Sequence, residues 1–233
     1  MLATTLTVAV ALGSSVLAAG PAAAATPVGR TAPDEYLGWA SPEVPATVMA
    51  SAGIQDFTLA FMLSKKACDP AWDATRPLTG GADQAAIDAI RAAGGDVVVS
   101  FGGWSGRKLG QRCTSATALA AAYQKVINAY ALKAIDIDIE HTEIAGAKTR
   151  ARVISALAAV HAANPALEIY VTFGTTPTGP DTKGTKLIKY AASIGFLPTA
   201  WTVMPFDFGA PGTNMGAASI NAVQGLRQVL QTS

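Results

Sequence analysis

Three carboxylates stand at alternate positions in the run Ala134-Ile135-Asp136-Ile137-Asp138-Ile139-Glu140. On an extended strand successive side chains point to opposite faces, so the acids share one face and the isoleucines the other. Carboxylates crowded on a buried face raise one another's proton affinity, which keeps one of them protonated near neutral pH and ready to act as a general acid. Glu140, last in the run, is the candidate donor, with Asp138 and Asp136 descending towards the core. An edge strand with a solvated acidic face is the competing reading, and the alternation with isoleucine argues against it. A metal site is a second rival, but no other ligands stand nearby and no histidine–cysteine cluster has metal-ligand spacing, so neither metal nor cofactor is expected.

The acids need elements to hold them. A strand-like segment followed by a helix-like segment recurs six times, with strands near Tyr36, Asp56, Val97, Ala134, Glu168 and Ala200. Regular βα alternation argues for a parallel sheet with helices outside it. Leu119, Tyr123, Val126, Ile127 and Tyr130 recur at helical steps behind the candidate caps Thr114 and Ser115. Val153, Ile154, Leu157, Val160 and His161 repeat the pattern and stop before Asn164-Pro165, where proline forbids continuation. A doubly wound sheet and a closed barrel both fit such repetition, and the acidic strand favours the barrel, whose carboxyl-end rim is where barrel enzymes hold their chemistry. The expected fold class is therefore α/β, of the (β/α)8 TIM barrel type. About six units are present and the C-terminal two are missing, because 208 residues follow Ala25 where a full barrel needs about 250. A fragment or frameshifted product is the expectation.

Composition narrows the partners. The 233 residues are 50% hydrophobic, and 17 basic against 16 acidic residues leave a net charge of +1. That balance gives no field for gripping nucleic acid or an anionic membrane. The first 29 residues contain no Asp, Glu, Lys or Arg, and the apolar run Leu6 to Ala19 precedes a small-residue cleavage site at Ala23-Ala24-Ala25. Residues 1–25 thus read as a secretory signal peptide and 26–233 as one catalytic domain, extracellular and without a membrane anchor once cleaved. Export favours pairing of Cys68 and Cys113, which lie in loops after consecutive strands, a bridge worth roughly 4 kcal/mol. Two separate buried thiols are the alternative.

Asp136-Ile137-Asp138-Ile139-Glu140 resembles the core of the D-x-x-D-x-D-x-E signature of glycoside hydrolase family 18, on the fourth strand. Ser100-Phe101-Gly102-Gly103, one strand earlier, resembles the family's S-x-G-G motif, and Met204-Pro205-Phe206-Asp207 stands where the family carries M-x-Y-D. The resemblance runs from about Tyr36 to the end of the chain. It implies a chitinase that cleaves β-1,4-linked N-acetylglucosamine with retention, the sugar's own acetamide being the nucleophile. Glu140 would protonate the leaving oxygen, Asp138 would orient the acetamide, and Asp136 would share a proton with Asp138. Ser100, Gly102, Gly103, Met204, Phe206 and Asp207 would belong to the substrate site. The sequence departs from the pattern at Lys133, where the first Asp is replaced, and at Phe206, which lacks the tyrosine hydroxyl.

Sugar rings stack on tryptophan, so Trp39 and Trp104 near strand ends are candidate platforms, and Trp72, in the loop after Cys68, a candidate extension of the cleft. Each of them can instead cap the core, and Trp201 is read as structural. His141 stands at the rim or in solvent, while His161 belongs to a helix face. The partner class is chitin or its oligosaccharides, acted on by a monomer. An endo-β-N-acetylglucosaminidase and a non-catalytic chitin-binding lectin are the alternatives, the first separated by cleft shape and the second by loss of turnover.

Overall fold

A computed structural model describes residues 29, 31, 45–209 and 212–233. The elements in order are α1 (Pro45–Ala52), β1 (Asp56–Lys66), β2 (Asp69–Trp72), α2 (Ala82–Ala92), β3 (Asp96–Gly102), α3 (Leu109–Arg112) and α4 (Ala116–Tyr130). They continue with β4 (Ala134–Asp138), α5 (His141–Ala145), α6 (Ala147–Ala163), β5 (Glu168–Gly174), α7 (Thr182–Ser193), β6 (Ala200–Met204) and α8 (Met215–Gln231). The signal-peptide reading, the strand near Tyr36 and Trp39 lie outside the described residues.

The strands form one six-stranded sheet in the order β2-β1-β3-β4-β5-β6. All neighbours from β1 to β6 pair in parallel, and β2 folds back antiparallel on β1. Five of the expected strands are thus in place as successive parallel strands joined by helices, an arc of barrel wall. The hairpin strand β2 is an addition that βα periodicity did not foresee. It turns Trp72 into the core: the indole is 1% exposed and its Nε1–H donates to the Tyr130 hydroxyl at 2.9 Å. Trp72 therefore caps the core and does not extend the cleft.

The two faces of the wall differ in chemistry. Val97, Val99, Ile135, Ile137, Ile169, Val171 and Phe173 join the helix residues Leu119, Val126, Val153 and Leu157 in the main core. The opposite face carries a small cluster of Val98, Ala134, Tyr170 and Ala200 at its lower level. Above them, at the same strand parity, stand Ser100, Asp136, Thr172 and Thr202, then Asp138. Strands buried on both faces read as near-continuous apolar runs, and polar residues on one face only mark where the wall encloses something other than core. The third and fourth helical readings hold as α4 and α6, with the Ser115 hydroxyl accepting the Ala118 N–H at 3.1 Å as N-cap.

Cys68 and Cys113 are joined in a disulfide that ties the β1–β2 turn to the end of α3. Lys133 precedes β4 at the opposite end from the acids and donates to Asp96 Oδ2 at 2.7 Å. That departure from the signature is spent on a surface ion pair at the foot of β3.

Candidate active site

Strand β4 presents its acids as the alternation demands. Asp136 is fully buried, Asp138 is 3% exposed, and Glu140 follows as N-cap of α5 at half-burial. Ionised carboxylates are costly in such a place unless hydrogen bonds or shared protons compensate them. Asp136 accepts from the Ser100 hydroxyl at Oδ2 and from the Thr172 hydroxyl at Oδ1, each at 2.6 Å. Two neighbouring strands thereby clamp the lowest acid. Ser100 itself is 0% exposed and lies beneath the acids, away from the cleft surface.

Asp138 and Glu140 are joined by a side-chain hydrogen bond. Burial, with the charges of Glu140 and Asp136 added, pushes the Asp138 carboxyl up to about 9. Burial also raises Glu140, against the pull of the Asp138 hydrogen bond and of the positive charges of Lys108 and His141. The pair therefore holds a proton between its members at neutral pH, which is the condition for a general acid. Asp138 Oδ1 is buried and, among the described residues, the one side-chain oxygen or nitrogen so placed that lacks a hydrogen-bond partner.

Gly102 and Gly103 explain how β3 comes so close. Both have positive φ, of 107° and 82°. A Cβ on Gly102 would fall 2.2 Å from the Asp138 carbonyl oxygen, and one on Gly103 would fall 2.8 Å from the Phe61 ring. The Gly103 N–H donates to that same carbonyl at 2.9 Å. The S-x-G-G segment thus shapes the acid strand's surroundings from behind.

A cleft of about 980 Å³ opens over Asp138 and Glu140. Phe61, Trp104, Tyr170, Met204 and Phe206 give it apolar walls, and Thr172, Thr202 and Asp207 add polar groups. Trp104 is 62% exposed and Phe206 56%. Exposed rings beside a polar cleft are the kind of surface on which sugar faces stack. The Trp104 ring lies on His141 with centroids 4.6 Å apart, so His141 backs the aromatic wall. A smaller depression of about 310 Å³ continues past Glu140 towards Thr175, Asp181 and Lys183.

The structure thus brings together Asp136, Asp138, Glu140, Trp104, Met204, Phe206 and Asp207, and sets Ser100, Gly102 and Gly103 behind them. Sequence reasoning missed Phe61, Tyr170, Thr172 and Thr202 in the cleft. Strand parity carried a signal for the last three: Asp136 pairs with Tyr170, Asp138 with Thr172, and Thr172 with Thr202. It also missed a buried Lys108 and Glu143 behind Glu140.

No family model matches the chain. It is 30% identical over 170 residues to a probable bifunctional chitinase/lysozyme of Escherichia coli. It is 30% identical over 163 residues to endochitinase 11 of Metarhizium anisopliae. These matches take in 70% and 67% of this chain but 19% and 30% of the relatives' own length. In fold it is similar to the catalytic domain of a hyperthermophilic chitinase from Pyrococcus furiosus, with a TM-score of 0.74 at 24% identity, over 90% of this chain and 70% of that one. Three motifs that resemble the glycoside hydrolase family 18 signature, held on the strands of a barrel wall, thus coincide with similarity to two relatives named as chitinases.

Proposed function

We propose that the chain is the catalytic domain of a secreted chitinase that hydrolyses β-1,4 linkages between N-acetylglucosamine units, with Glu140 as general acid. One observation carries the reading most directly: Asp138 shares a hydrogen bond with Glu140, and its buried Oδ1 finds no donor among the described residues, beside a cleft with aromatic walls. Buried polar atoms without partners are rare and call for an explanation, and a substrate N–H supplies one.

In the reaction this supports, the acetamide oxygen of the sugar attacks its own anomeric carbon as the glycosidic bond breaks. Glu140 gives its proton to the leaving oxygen. Asp138 accepts from the acetamide N–H and steadies the positive charge that forms on the cyclic intermediate. Water then opens that ring, with the Glu140 carboxylate taking the water's proton and so recovering its own. Asp136, fixed by Ser100 and Thr172, holds Asp138 high in proton affinity from below. A solved complex of the Pyrococcus furiosus chitinase domain with chito-oligosaccharides is consistent with the substrate class. Secretion is supported by the leader-like segment 1–25 and by the Cys68–Cys113 disulfide, a bond of oxidising compartments.

The test is release of soluble N-acetylglucosamine oligosaccharides from chitin. Wild type should release them, and Glu140→Gln should lower the rate by about 10²–10⁴-fold without loss of fold. Chitin bound equally by both, with no release by either, would instead identify a lectin, the reading that Phe206 favours by lacking a hydroxyl.

A further inference from the structure

Behind Glu140 lie two charged side chains for which the reaction above has no use. Lys108, at the N-terminus of α3, and Glu143, on α5, are each 2% exposed. The Lys108 ammonium donates to the Trp104 carbonyl at 2.6 Å, and Trp104 forms the aromatic wall beside Glu140. The Glu143 carboxylate accepts the Gly110 N–H and fills the space in front of that glycine, where a Cβ would come within 2.3 Å of Oε1. A buried ammonium is costly, and burial holds Lys108 below the ordinary lysine range, while the charges of Glu143, Glu140 and Asp138 oppose that shift and favour the cation. The arrangement is thus one cation among three acids, two of which are the proposed catalytic pair.

We propose that Lys108 is a positioning residue for Glu140: its buried ammonium anchors the Trp104 wall and supplies the positive charge against which Asp138 and Glu140 share their proton, with Glu143 as the opposing charge. The inference rests on the hydrolase reading. Other charged or titratable groups face the pair from each neighbouring element. Asp136 lies below on β4, and His141 stands beside Glu140 on α5. Tyr123 of α4 is buried within the field of the Glu143 charge. Tyr170 of β5 and Asp207 line the main cleft with Asp138 and Glu140, and Asp181 and Lys183 line the smaller depression with Glu140. Lys108 is buried and Lys183 is at the surface, so water screens the second far more than the first.

The experiment is the pH profile of kcat on a soluble chitooligosaccharide for wild type, Lys108→Met, Lys108→Arg and Glu143→Gln, all on the full chain and each checked for fold by circular dichroism. Glu140 must be protonated to act, so its ionisation sets the alkaline limb. Lys108→Met removes the cation that favours ionised Glu140, and the limb should move up by roughly half a pH unit. Glu143→Gln removes the anion that offsets that cation, and the limb should move down. Lys108→Arg, which keeps the charge, should leave it in place. A ¹³C-detected titration of the Glu140 carboxyl in the same proteins gives a readout that needs no turnover. Limbs that stay put, or move the same way in the Met and Gln variants of an active enzyme, overturn the inference and leave the hydrolase reading standing. An inactive wild type overturns the hydrolase reading, and the carboxyl titration then decides the charge relation alone. If Lys108→Met fails to fold, Glu143→Gln carries the test.

Discussion

Asp138 is where burial, hydrogen bonding and charge meet. Its carboxyl is raised because water is excluded and two further acids flank it, and the Glu140 hydrogen bond uses the proton it keeps. The clamp on Asp136 matters for the same reason, since an acid that wandered would weaken the field on Asp138. Ser100→Ala removes a hydroxyl that donates to the buried Asp136 carboxylate at 2.6 Å. It should cost about 1–3 kcal/mol in urea unfolding. Phe206 offers the converse experiment. The ring is exposed at the cleft rim, so Phe206→Tyr adds a hydroxyl without crowding the core. One well-aimed hydrogen bond to the bound sugar is worth about 1 kcal/mol. The variant should therefore raise kcat/KM on a chitooligosaccharide several-fold, and an unchanged value would show that the hydroxyl finds no partner.

At the scale of elements, β4 delivers the acids, β3 packs against them and the β1–β2 hairpin locks the rim. Glycine at position 102 is required twice over, by its left-handed φ and by the nearness of the Asp138 carbonyl. Gly102→Ala should lower the melting temperature and activity together, because the strand carrying the acid must shift. The disulfide closes a separation of 45 residues, and breaking it with Cys68→Ser and Cys113→Ser should destabilise by roughly 4 kcal/mol in denaturant unfolding. What the sequence made legible follows from local rules. Alternation at Asp136, Asp138 and Glu140 needs only the period of a strand, and the faces of α4 and α6 need only the period of a helix. The β2 hairpin was not legible, because Asp69-Pro70-Ala71-Trp72 is too short to show a period and its pairing depends on β1 in space. Lys108 and Glu143 escaped for a related reason: isolated charges read as surface until tertiary packing covers them. Thr172 and Thr202 were within reach through parity, but only once the register with β4 was known.

For the molecule as a whole, raised carboxyls have a cost that depends on pH. An acid whose folded value lies above its unfolded one binds its proton more tightly when folded. Its contribution to stability is complete below the unfolded value and is lost as pH rises through the folded one. Burial lifts Glu143 from an ordinary 4.5 to about 7, and Asp138 from 3.8 to about 9. Stability should therefore decline from about pH 5 to pH 9, and Glu143→Gln should flatten the lower part of that decline, a change on the order of 3 kcal/mol. Urea midpoints measured across that range would show it, and equal slopes in wild type and variant would contradict the burial of an unshared acid. This cost is consistent with acids kept for chemistry, since an apolar wall would fold more firmly.

In the proposed reaction one protonated side chain, Glu140, works together with the substrate's own acetamide. That reaction is tested most directly by following chitotetraose hydrolysis by proton NMR and reading the anomeric form of the first product. The β-anomer should appear first and mutarotate later, and Glu140→Gln should yield no product on the same timescale. An α-anomer formed first, or equal cleavage by the variant, would contradict the proposed reaction.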